Sequence, residues 1–400
     1  MDAVYLDNNA TTRVAPAVVD AMLPFFGDQF GNPSSRHAFG SGVSGALKAA
    51  RRQVQALIGA EHDHEVIFTS GGTESNSTAI LSALETMPGR NEIITTAVEH
   101  PAILALCAHL EQQRGIRVHR IPVDGLGRLD IGAYRAALSN RVAIASVMWA
   151  NNETGTLFPV AELAEYARQA GVLFHTDAVQ AVGKVPIDLR STAIDMLSLS
   201  GHKLHGPKGI GVLYVRRGTP FCPLLRGGQQ ERGRRAGTEN TPAIVGLGKA
   251  AELALGHLGE MGGRVRFLRD RLEGALLQRI PDARVTGDLD RRMPNTAHMT
   301  FADVDAEGIV ALLDRQGIAC STGSACASGS MQPSHVLLAM GFSASASHGA
   351  LRFSLSRDST ERDIDRVIAT LPGIVARLRD LPPVGRAAGA TPKRINPAFA

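Results

Sequence analysis

Short apolar segments alternate with segments of helical periodicity up to about residue 257, and this rhythm restricts the fold more than any other feature. The apolar segments cover residues 65–70, 92–100, 142–152, 172–178, 196–203 and 211–215. Between them, apolar residues recur at helical spacing in GALKAARRQVQALIG, SNSTAILSALETM and AELAEYARQAG. The alternation predicts an α/β fold with a mostly parallel sheet and helices on both faces. In such a sheet, functional residues gather at the carboxyl ends of the strands.

The rhythm changes after about residue 257. A long amphipathic helix is predicted over 262–280, and the strands and helices that follow do not alternate strictly. This part of the chain is typical of a smaller α+β domain. From about residue 382 the sequence is rich in Pro, Gly and Ala, which favours a flexible tail.

Composition excludes several classes of protein. The 42 basic and 38 acidic residues are spread along the chain, so nothing in the charge indicates nucleic-acid binding. No apolar run approaches the length of a membrane span, and we expect no signal peptide. The four cysteines, at 107, 222, 320 and 326, do not form a disulfide framework, which favours a reducing, cytoplasmic compartment.

A glycine turn between a strand and a helix is the first candidate binding element. In FTSGGTESN, Gly71 and Gly72 would let a phosphate approach the exposed N–H groups of a helix start, with the Thr73 hydroxyl as a further donor. An ordinary turn in which Thr73 is the N-cap explains the same residues.

Two charged residues follow apolar strands. A carboxylate such as Asp177 needs a partner when buried, which could be a protonated heterocyclic nitrogen or a backbone donor at a turn. Lys203 lies between a buried strand and a Gly/Pro-rich turn, where burial would make its amine nucleophilic. Ser200 and His202 beside it could donate to a phosphate.

His100 and the arginine-rich loop over 227–240 are weaker candidates taken singly. His100 precedes Pro101 at a strand end and could lie over a ligand ring, although such a histidine is often only structural. The loop is either solvated, or it binds an anion or another subunit. Taken together, the phosphate turn, the carboxylate, the lysine and the histidine describe a pyridoxal phosphate site.

Nine motifs in this order closely resemble those of cysteine desulfurases, which are aminotransferase-like pyridoxal phosphate enzymes of fold type I. The resemblance covers about residues 3–380 and is closest to the nitrogen-fixation, NifS-like branch. The motifs are YLDNNATT, FGNPSS, TSGGTESN, EHPA, ANNETGT, HTDAVQAVGK, SLSGHKLHGPKGIG, RRAGTEN and GSACASG.

The resemblance implies two domains with different roles. A large pyridoxal phosphate-binding domain would span 12–257. A small domain, formed by 1–11 and 258–381, would carry the loop with the catalytic cysteine, and 382–400 would be the flexible tail.

The resemblance also assigns roles around the cofactor ring. Lys203 would bind the cofactor covalently and act as a catalytic base. Asp177 would pair with the ring nitrogen, and Gln180 would donate to the ring oxygen. His100 would stack on the ring and carry protons, and Asn152 would lie near both substrate and cofactor oxygen.

Further roles concern the phosphate and the substrate. Thr238 would reach the phosphate from the neighbouring subunit of a homodimer, and Arg352 would bind the substrate carboxylate. The remaining phosphate contacts would be Gly72, Thr73, Ser200 and His202.

Cys326 matches the catalytic cysteine of the family. The implied reaction converts L-cysteine to L-alanine and leaves the sulfur as a persulfide on Cys326, for an iron–sulfur scaffold protein that serves nitrogenase. A transient iron contact at Cys326, through the persulfide, is part of the same expectation. Cys320 follows a short predicted strand and is expected to be a small packed residue.

Three alternatives stay open at the level of sequence. An aminotransferase or a selenocysteine lyase would use Lys203 and Asp177 without needing Cys326. A non-catalytic sulfur or iron–sulfur carrier would use Cys320 and Cys326 without pyridoxal phosphate. Nucleic-acid binding through Arg232–Arg235 has little support, because the loop lacks interleaved aromatic residues.

Overall fold

The computed structural model describes residues 3–322 and 333–380. The strands of this part are β1 (Val4–Tyr5), β2 (Val66–Thr69), β3 (Glu92–Thr96), β4 (Arg117–Ile121), β5 (Val142–Ser146), β6 (Leu173–Asp177), β7 (Met196–Ser200), β8 (Gly211–Val215), β9 (Ala283–Val285), β10 (Thr296–Phe301), β11 (Ile318–Ala319) and β12 (Ala350–Ser354).

Helices occupy most of the chain between these strands. They are α1 (Pro16–Met22), α2 (Ala38–Ile58), α3 (Gly72–Thr86), α4 (Pro101–Arg114), α5 (Ile131–Ala137), α6 (Val160–Gln169), α7 (Thr241–Gly256), α8 (Leu258–Glu260), α9 (Arg266–Arg279), α10 (Ala306–Arg315), α11 (His335–Ala339), α12 (Ala344–His348) and α13 (Glu361–Arg379). No helix of the described ranges combines the length and the apolar character that crossing a membrane requires.

A seven-stranded sheet in the order β2-β8-β7-β6-β5-β3-β4 forms the centre of the larger part. The five strands from β7 to β4 run parallel, and β8 is antiparallel to both of its neighbours. The predicted α/β fold with a mostly parallel sheet is therefore confirmed. The sequence did not predict β4, because this edge strand is partly exposed and its sequence, RVHRI, is not an apolar run.

Alternate residues of the same strands enter two different apolar clusters, as the period of a strand requires. On one face, Phe174 and Leu197 pack with α2, α6 and α7. On the other face, Leu173 and Met196 pack with α3 and α4. Helices therefore cover both faces, and this is why the strands read as continuous apolar runs.

Several strands end earlier than the apolar runs predicted. The run over 142–152 forms a strand only to Ser146, and the run over 196–203 only to Ser200. The polar residues that follow leave the sheet at the carboxyl ends of its strands. These ends are where the candidate site lies.

The chain after α8 packs with the N-terminal segment. Strands β9, β10 and β12 form an antiparallel sheet, and β1 pairs in parallel with β11. Val4 and Leu6 join α9, α10 and α13 in an apolar cluster distinct from those of the large sheet. This packing supports the predicted boundaries at 11/12 and 257/258, which stay a prediction.

Two further expectations fall in this smaller part. The helix predicted over 262–280 begins regularly only at Arg266, because a π-helical turn over Met261–Val265 contains two adjacent glycines. Cys320 directly follows β11 and lies buried in the apolar cluster, as expected of a small packed residue. The tail over 382–400 lies outside the described residues.

Gly211 provides a test of the packing that holds the glycine turn before α3. A Cβ at this position would lie 2.6 Å from the Cα of Gly71 and 2.7 Å from the carbonyl oxygen of Leu199. Backbone atoms on both sides cannot give way, so we expect Gly211→Ala to lower the free energy of unfolding by about 1–3 kcal/mol. Urea unfolding of the protein would measure this.

Gly45→Ala is the matched control, because Gly45 is exposed in α2 and a Cβ there meets nothing within 4 Å. It should leave stability equal or slightly higher. Equal stabilities for Gly211→Ala and Gly45→Ala would contradict the close approach of the two glycines.

Candidate active site

A cavity of about 200 Å³ lies at the carboxyl ends of the central strands. It is lined by all but two of the residues that the sequence analysis assigned to the site. These lining residues are Gly72, Thr73, His100, Asn152, Asp177, Gln180, Ser200, His202, Lys203 and Arg352. Of the two others, Thr238 is exposed and does not line the cavity, and Cys326 lies outside the described residues.

Asp177 is the last residue of β6 and is only 7% exposed. Its Oδ2 accepts a hydrogen bond of 2.7 Å from Nδ2 of Asn76, and its Oδ1 accepts one of 3.0 Å from the N–H of Val179. The two donors supply the hydrogen-bond partners that a buried carboxyl group needs. Asn76 was not predicted as a partner of Asp177, although it belongs to the TSGGTESN motif.

Lys203 ends a 3₁₀ turn over Gly201–Lys203 that follows β7 directly. Its Nζ donates to the carbonyl oxygens of Asn9 and Ala10, at 2.5 and 2.7 Å. The N-terminal segment thus supplies the acceptors that hold the amine at the cavity wall. The motif YLDNNATT contains both residues, but only the fold reveals what they contact.

His100 is the N-cap of α4, and its Nδ1 accepts a hydrogen bond of 3.1 Å from the N–H of Ala102. Burial lowers the pKa of this imidazole, with the charge of Lys203 adding to the effect and that of Asp177 opposing it. The ring is therefore neutral near pH 7 and carries its proton on Nε2, because Nδ1 is an acceptor.

The phosphate-binding prediction concerns the start of α3. The first N–H groups of this helix have no intrahelical acceptor, and Gly72, its first residue, lines the cavity. A Cβ on Gly72 would lie 2.8 Å from Cγ2 of Val179, so a larger residue there would force Val179 to shift. Burial lowers the pKa of His202 to about 4, and its Nδ1 lies 3.1 Å from the hydroxyl oxygen of Thr11.

Arg352 brings a cation from the smaller part of the chain into the cavity. It lies on β12 and is 2% exposed. Nη1 donates to the carbonyl oxygen of Asn152 and Nη2 to Oδ1 of Asp7, each at 2.8 Å. The guanidinium is therefore oriented by groups on two different segments, and its planar donors suit a carboxylate ligand.

The residues before and after the Cys326 segment are fixed beside this cavity. Ser321 exchanges two backbone hydrogen bonds with Arg352, at 3.2 and 2.7 Å. After the segment, the Ser334 hydroxyl donates to buried Glu153 at 2.6 Å, and Nε2 of His335 donates to the carbonyl oxygen of Glu99 at 3.0 Å.

The arginine-rich loop is tied to the body of the protein. Arg235 pairs with Glu74 at 2.9 Å, and Glu231 accepts two hydrogen bonds from Arg51, at 2.7 and 2.8 Å. These ion pairs hold the loop against α2 and α3. Within 3–322 and 333–380, no cluster of three or more His, Cys, Asp or Glu suits a metal ion.

A model of the family "Aminotransferase class-V" matches residues 4–367. The chain belongs to this family. A cysteine desulfurase of Gluconacetobacter diazotrophicus is 65% identical over the full length of both proteins. The cysteine desulfurase NifS of Azotobacter vinelandii is 61% identical, over 96% of this chain and 95% of its own. A solved NifS-like protein superposes with a TM-score of 0.88 at 35% identity, covering 94% of this chain and 100% of its own.

The chain is thus a pyridoxal phosphate-dependent enzyme, and its cavity fits that cofactor. A buried carboxyl group, a lysine amine and a helix start that begins with glycine converge on one space. These are the groups that a heterocyclic nitrogen, an aldehyde and a phosphate require.

Glu99 precedes His100 in the chain, and its ionisation provides a test of the effect of burial at the site. It accepts hydrogen bonds from the Thr96 hydroxyl and the Met148 N–H, and burial raises its pKa from 4.5 to about 8. Between these two values the folded state keeps a proton that the unfolded state has released. Stability should therefore fall as the pH rises through this window.

In Glu99→Gln, the neutral amide oxygen can accept the same hydrogen bonds without this proton. We expect the variant to gain roughly 1–3 kcal/mol relative to the unmodified protein between pH 5 and pH 8. Urea unfolding at the two pH values measures the difference. Parallel losses of stability in both proteins would show that Glu99 ionises freely in the folded state.

Proposed function

We propose that the chain is a cysteine desulfurase that converts L-cysteine to L-alanine and takes the sulfur onto Cys326. The observation that carries the proposal is one cavity that combines Lys203, Asp177 and Arg352, in a chain 65% identical to a cysteine desulfurase. The three side chains account for cofactor attachment, stabilisation of the cofactor ring and recognition of an amino-acid carboxylate.

The residues around the ring hold the cofactor and move protons. When bound, pyridoxal phosphate would supply an electron sink for the substrate carbon. Lys203 would be the residue that attaches the cofactor, and its Nζ would be the base for the Cα proton of the substrate. Asp177 would hold the ring nitrogen and Gln180 the ring oxygen, and neutral His100, with a proton available on Nε2, would lie against the ring.

The residues that we propose as phosphate contacts line the same cavity. The N–H groups that open α3 have no intrahelical acceptor, and the hydroxyl and imidazole groups among these residues can add donors. We assign the phosphate to Gly72, Thr73, Ser200 and His202.

Arg352 selects an α-carboxylate. Its two terminal nitrogens already hold oxygen acceptors, a carboxylate on Asp7 and the backbone of Asn152. A substrate carboxylate could replace these two separate acceptors with a bidentate pair, while Asn152 remains beside the substrate.

The sulfur transfer balances without an external oxidant. The Cys326 thiolate attacks the sulfur of L-cysteine, an S–S bond forms, and the substrate C–S bond breaks with its electron pair remaining on carbon. Protonation of that carbon leads to L-alanine, and Cys326 keeps the sulfur as a persulfide. Carbon is reduced while the two sulfur atoms are oxidised.

The other cysteine in this part of the chain is unsuited to the role. Burial raises the pKa of Cys320 to about 12, so its sulfur is a thiol near pH 7 and not the thiolate that attack requires. This favours Cys326, which the family motif also selects.

A second copy of the chain completes the proposed enzyme. Thr238 is exposed and lies outside its own cavity, a position that suits a contribution to the phosphate site of the other subunit. Phe26, Phe30 and Phe39 are 69%, 71% and 61% exposed, which favours an apolar contact surface for a homodimer. The exposed Thr238 and the exposed phenylalanines are thus both consistent with a homodimer.

The sulfur acceptor we propose is an iron–sulfur scaffold protein that serves nitrogenase. The support is the 61% identity to the cysteine desulfurase NifS of Azotobacter vinelandii. In this role the enzyme acts in the cytoplasm, and the persulfide on Cys326 contacts iron transiently during delivery. A non-catalytic sulfur or iron–sulfur carrier would not need a cavity that brings Lys203 and Asp177 together.

Cys326→Ala separates sulfur transfer from cofactor binding. We expect the variant to bind pyridoxal phosphate with the unmodified visible spectrum and to release no sulfide from L-cysteine above background, because the nucleophile is missing. Sulfide release with a thiol reductant is the assay. Cys320→Ala is the matched control and should retain turnover; normal turnover of Cys326→Ala would disprove the assignment.

Lys203→Ala tests the attachment of the cofactor. Borohydride reduction followed by proteolysis and mass spectrometry should place the cofactor on Lys203 in the unmodified protein and find no covalent adduct in the variant. Lys208→Ala, five residues further at an exposed position, should keep the adduct. An adduct on Lys184 or Lys208 would show that the cofactor is attached there and not at Lys203.

A further inference from the structure

Lys184 is a buried amine that the proposed mechanism does not use. It is 6% exposed, and no carboxylate pairs with it among the residues that the structure describes. Burial lowers its pKa well below the usual value, and the charges of Lys203 and Arg352 lower it further. An amine in such surroundings is costly to the fold, which calls for a compensating role.

The amine of Lys184 is also not a second attachment point for the cofactor. It does not line the 200 Å³ cavity, whereas Lys203 does. Lys184 instead lies behind the wall formed by Gln180. The chain from Ala178 to Val185 forms consecutive turns closed by backbone hydrogen bonds, from Val182 to Ala178 and from Val185 to Ala181, and Lys184 meets Gln180 across them.

The contacts of Lys184 determine which way the Gln180 amide points. Nζ of Lys184 donates to Oε1 of Gln180 at 2.8 Å and to Oδ1 of Asn9 at 3.2 Å. At its other end, Nε2 of Gln180 donates to the carbonyl oxygen of Asn9 at 2.9 Å. The amine is a donor in both contacts and a carbonyl oxygen can only accept, so both neighbours require the same orientation of the amide.

The same acceptor serves the catalytic lysine. The carbonyl oxygen of Asn9 also accepts from Nζ of Lys203, at 2.5 Å. The side chain of Asn9 is held in turn by Nδ2 of Asn295, which donates to Oδ1 at 3.1 Å. Lys184 therefore completes a buried network in which every named contact has one donor and one acceptor.

We propose that Lys184 is a positioning residue that acts through Gln180, keeping the amide oxygen turned away from the cofactor and the second amide N–H, the one not bonded to Asn9, available to the ring oxygen of the cofactor. This proposal rests on the role given above to Gln180. Without the Lys184 donor, the amide could rotate and present its oxygen to the ring oxygen, where two acceptors repel each other. The consequence would be weaker cofactor binding and an altered electronic environment of the ring.

A double-mutant cycle on pyridoxal phosphate binding tests the proposal. The proteins are the unmodified enzyme, Lys184→Met, Gln180→Ala and the double variant, each stripped of cofactor and titrated with pyridoxal phosphate alone. Trp149, the one tryptophan of the chain, reports binding by fluorescence. The absorption maximum of the bound cofactor is the second measurement.

We expect Lys184→Met and Gln180→Ala each to weaken binding by roughly tenfold and to shift the absorption maximum in the same direction. The double variant should bind no more weakly than Gln180→Ala, because one residue acts through the other. Additive losses, or a Gln180→Ala protein that binds as the unmodified one does, would overturn the proposal.

Lys184→Gln is the companion variant, because its amide keeps N–H donors without the charge. It should bind pyridoxal phosphate more tightly than Lys184→Met does. If Lys184→Met does not fold, Lys184→Gln replaces it in the double-mutant cycle. Binding as weak as that of Lys184→Met would show that charge, and not donation, matters, against the proposal. Alanine formation from L-cysteine by the unmodified enzyme, assayed separately, tests the proposed function without affecting this comparison.

Discussion

The backbone of Asn9 is the point on which both parts of the structure depend. Its carbonyl oxygen holds Lys203 and Gln180 at the ends of the large sheet, while its N–H donates to the hydroxyl of Ser354 on β12. Its side-chain amide donates to Thr296 on β10. Buried polar groups must find partners, and here one residue satisfies groups from both parts at once. The N-terminal segment is therefore structural support for the site as well as an edge of the smaller core.

Burial controls the charges around the cavity. It raises the pKa of Glu99 and lowers the pKa of His100 and His202, so each of these groups tends toward its neutral form. Asp177 and Arg352, in contrast, have hydrogen-bond donors or acceptors directed at them. The groups around the cavity therefore fall into two sets, those whose neutral form is favoured by burial and those held by directed hydrogen bonds.

The sequence predicted those features whose cause is local. Asp177 and Lys203 stand out because a charge follows a buried strand, and parallel strands bring their carboxyl ends together. The roles of Asn76, Asn9 and Lys184 were not predicted, because their partners are distant in the chain or visible only in three dimensions. Asn76, for example, meets Asp177 across 101 positions. The edge strand β4 was missed for a different reason, since half-exposed strands lack the apolar run that marks buried ones.

The backbone pairing of Ser321 with Arg352 sets a geometric limit on the proposed delivery of sulfur. A fully extended chain advances about 3.4 Å per residue, so a residue five positions beyond Ser321, which is Cys326, can be no more than about 17 Å from it. The origin of this limit is the strand that carries Arg352, the residue proposed to bind the substrate carboxylate. Under the proposed function, an acceptor protein would have to bring its own thiol or metal within reach of this radius.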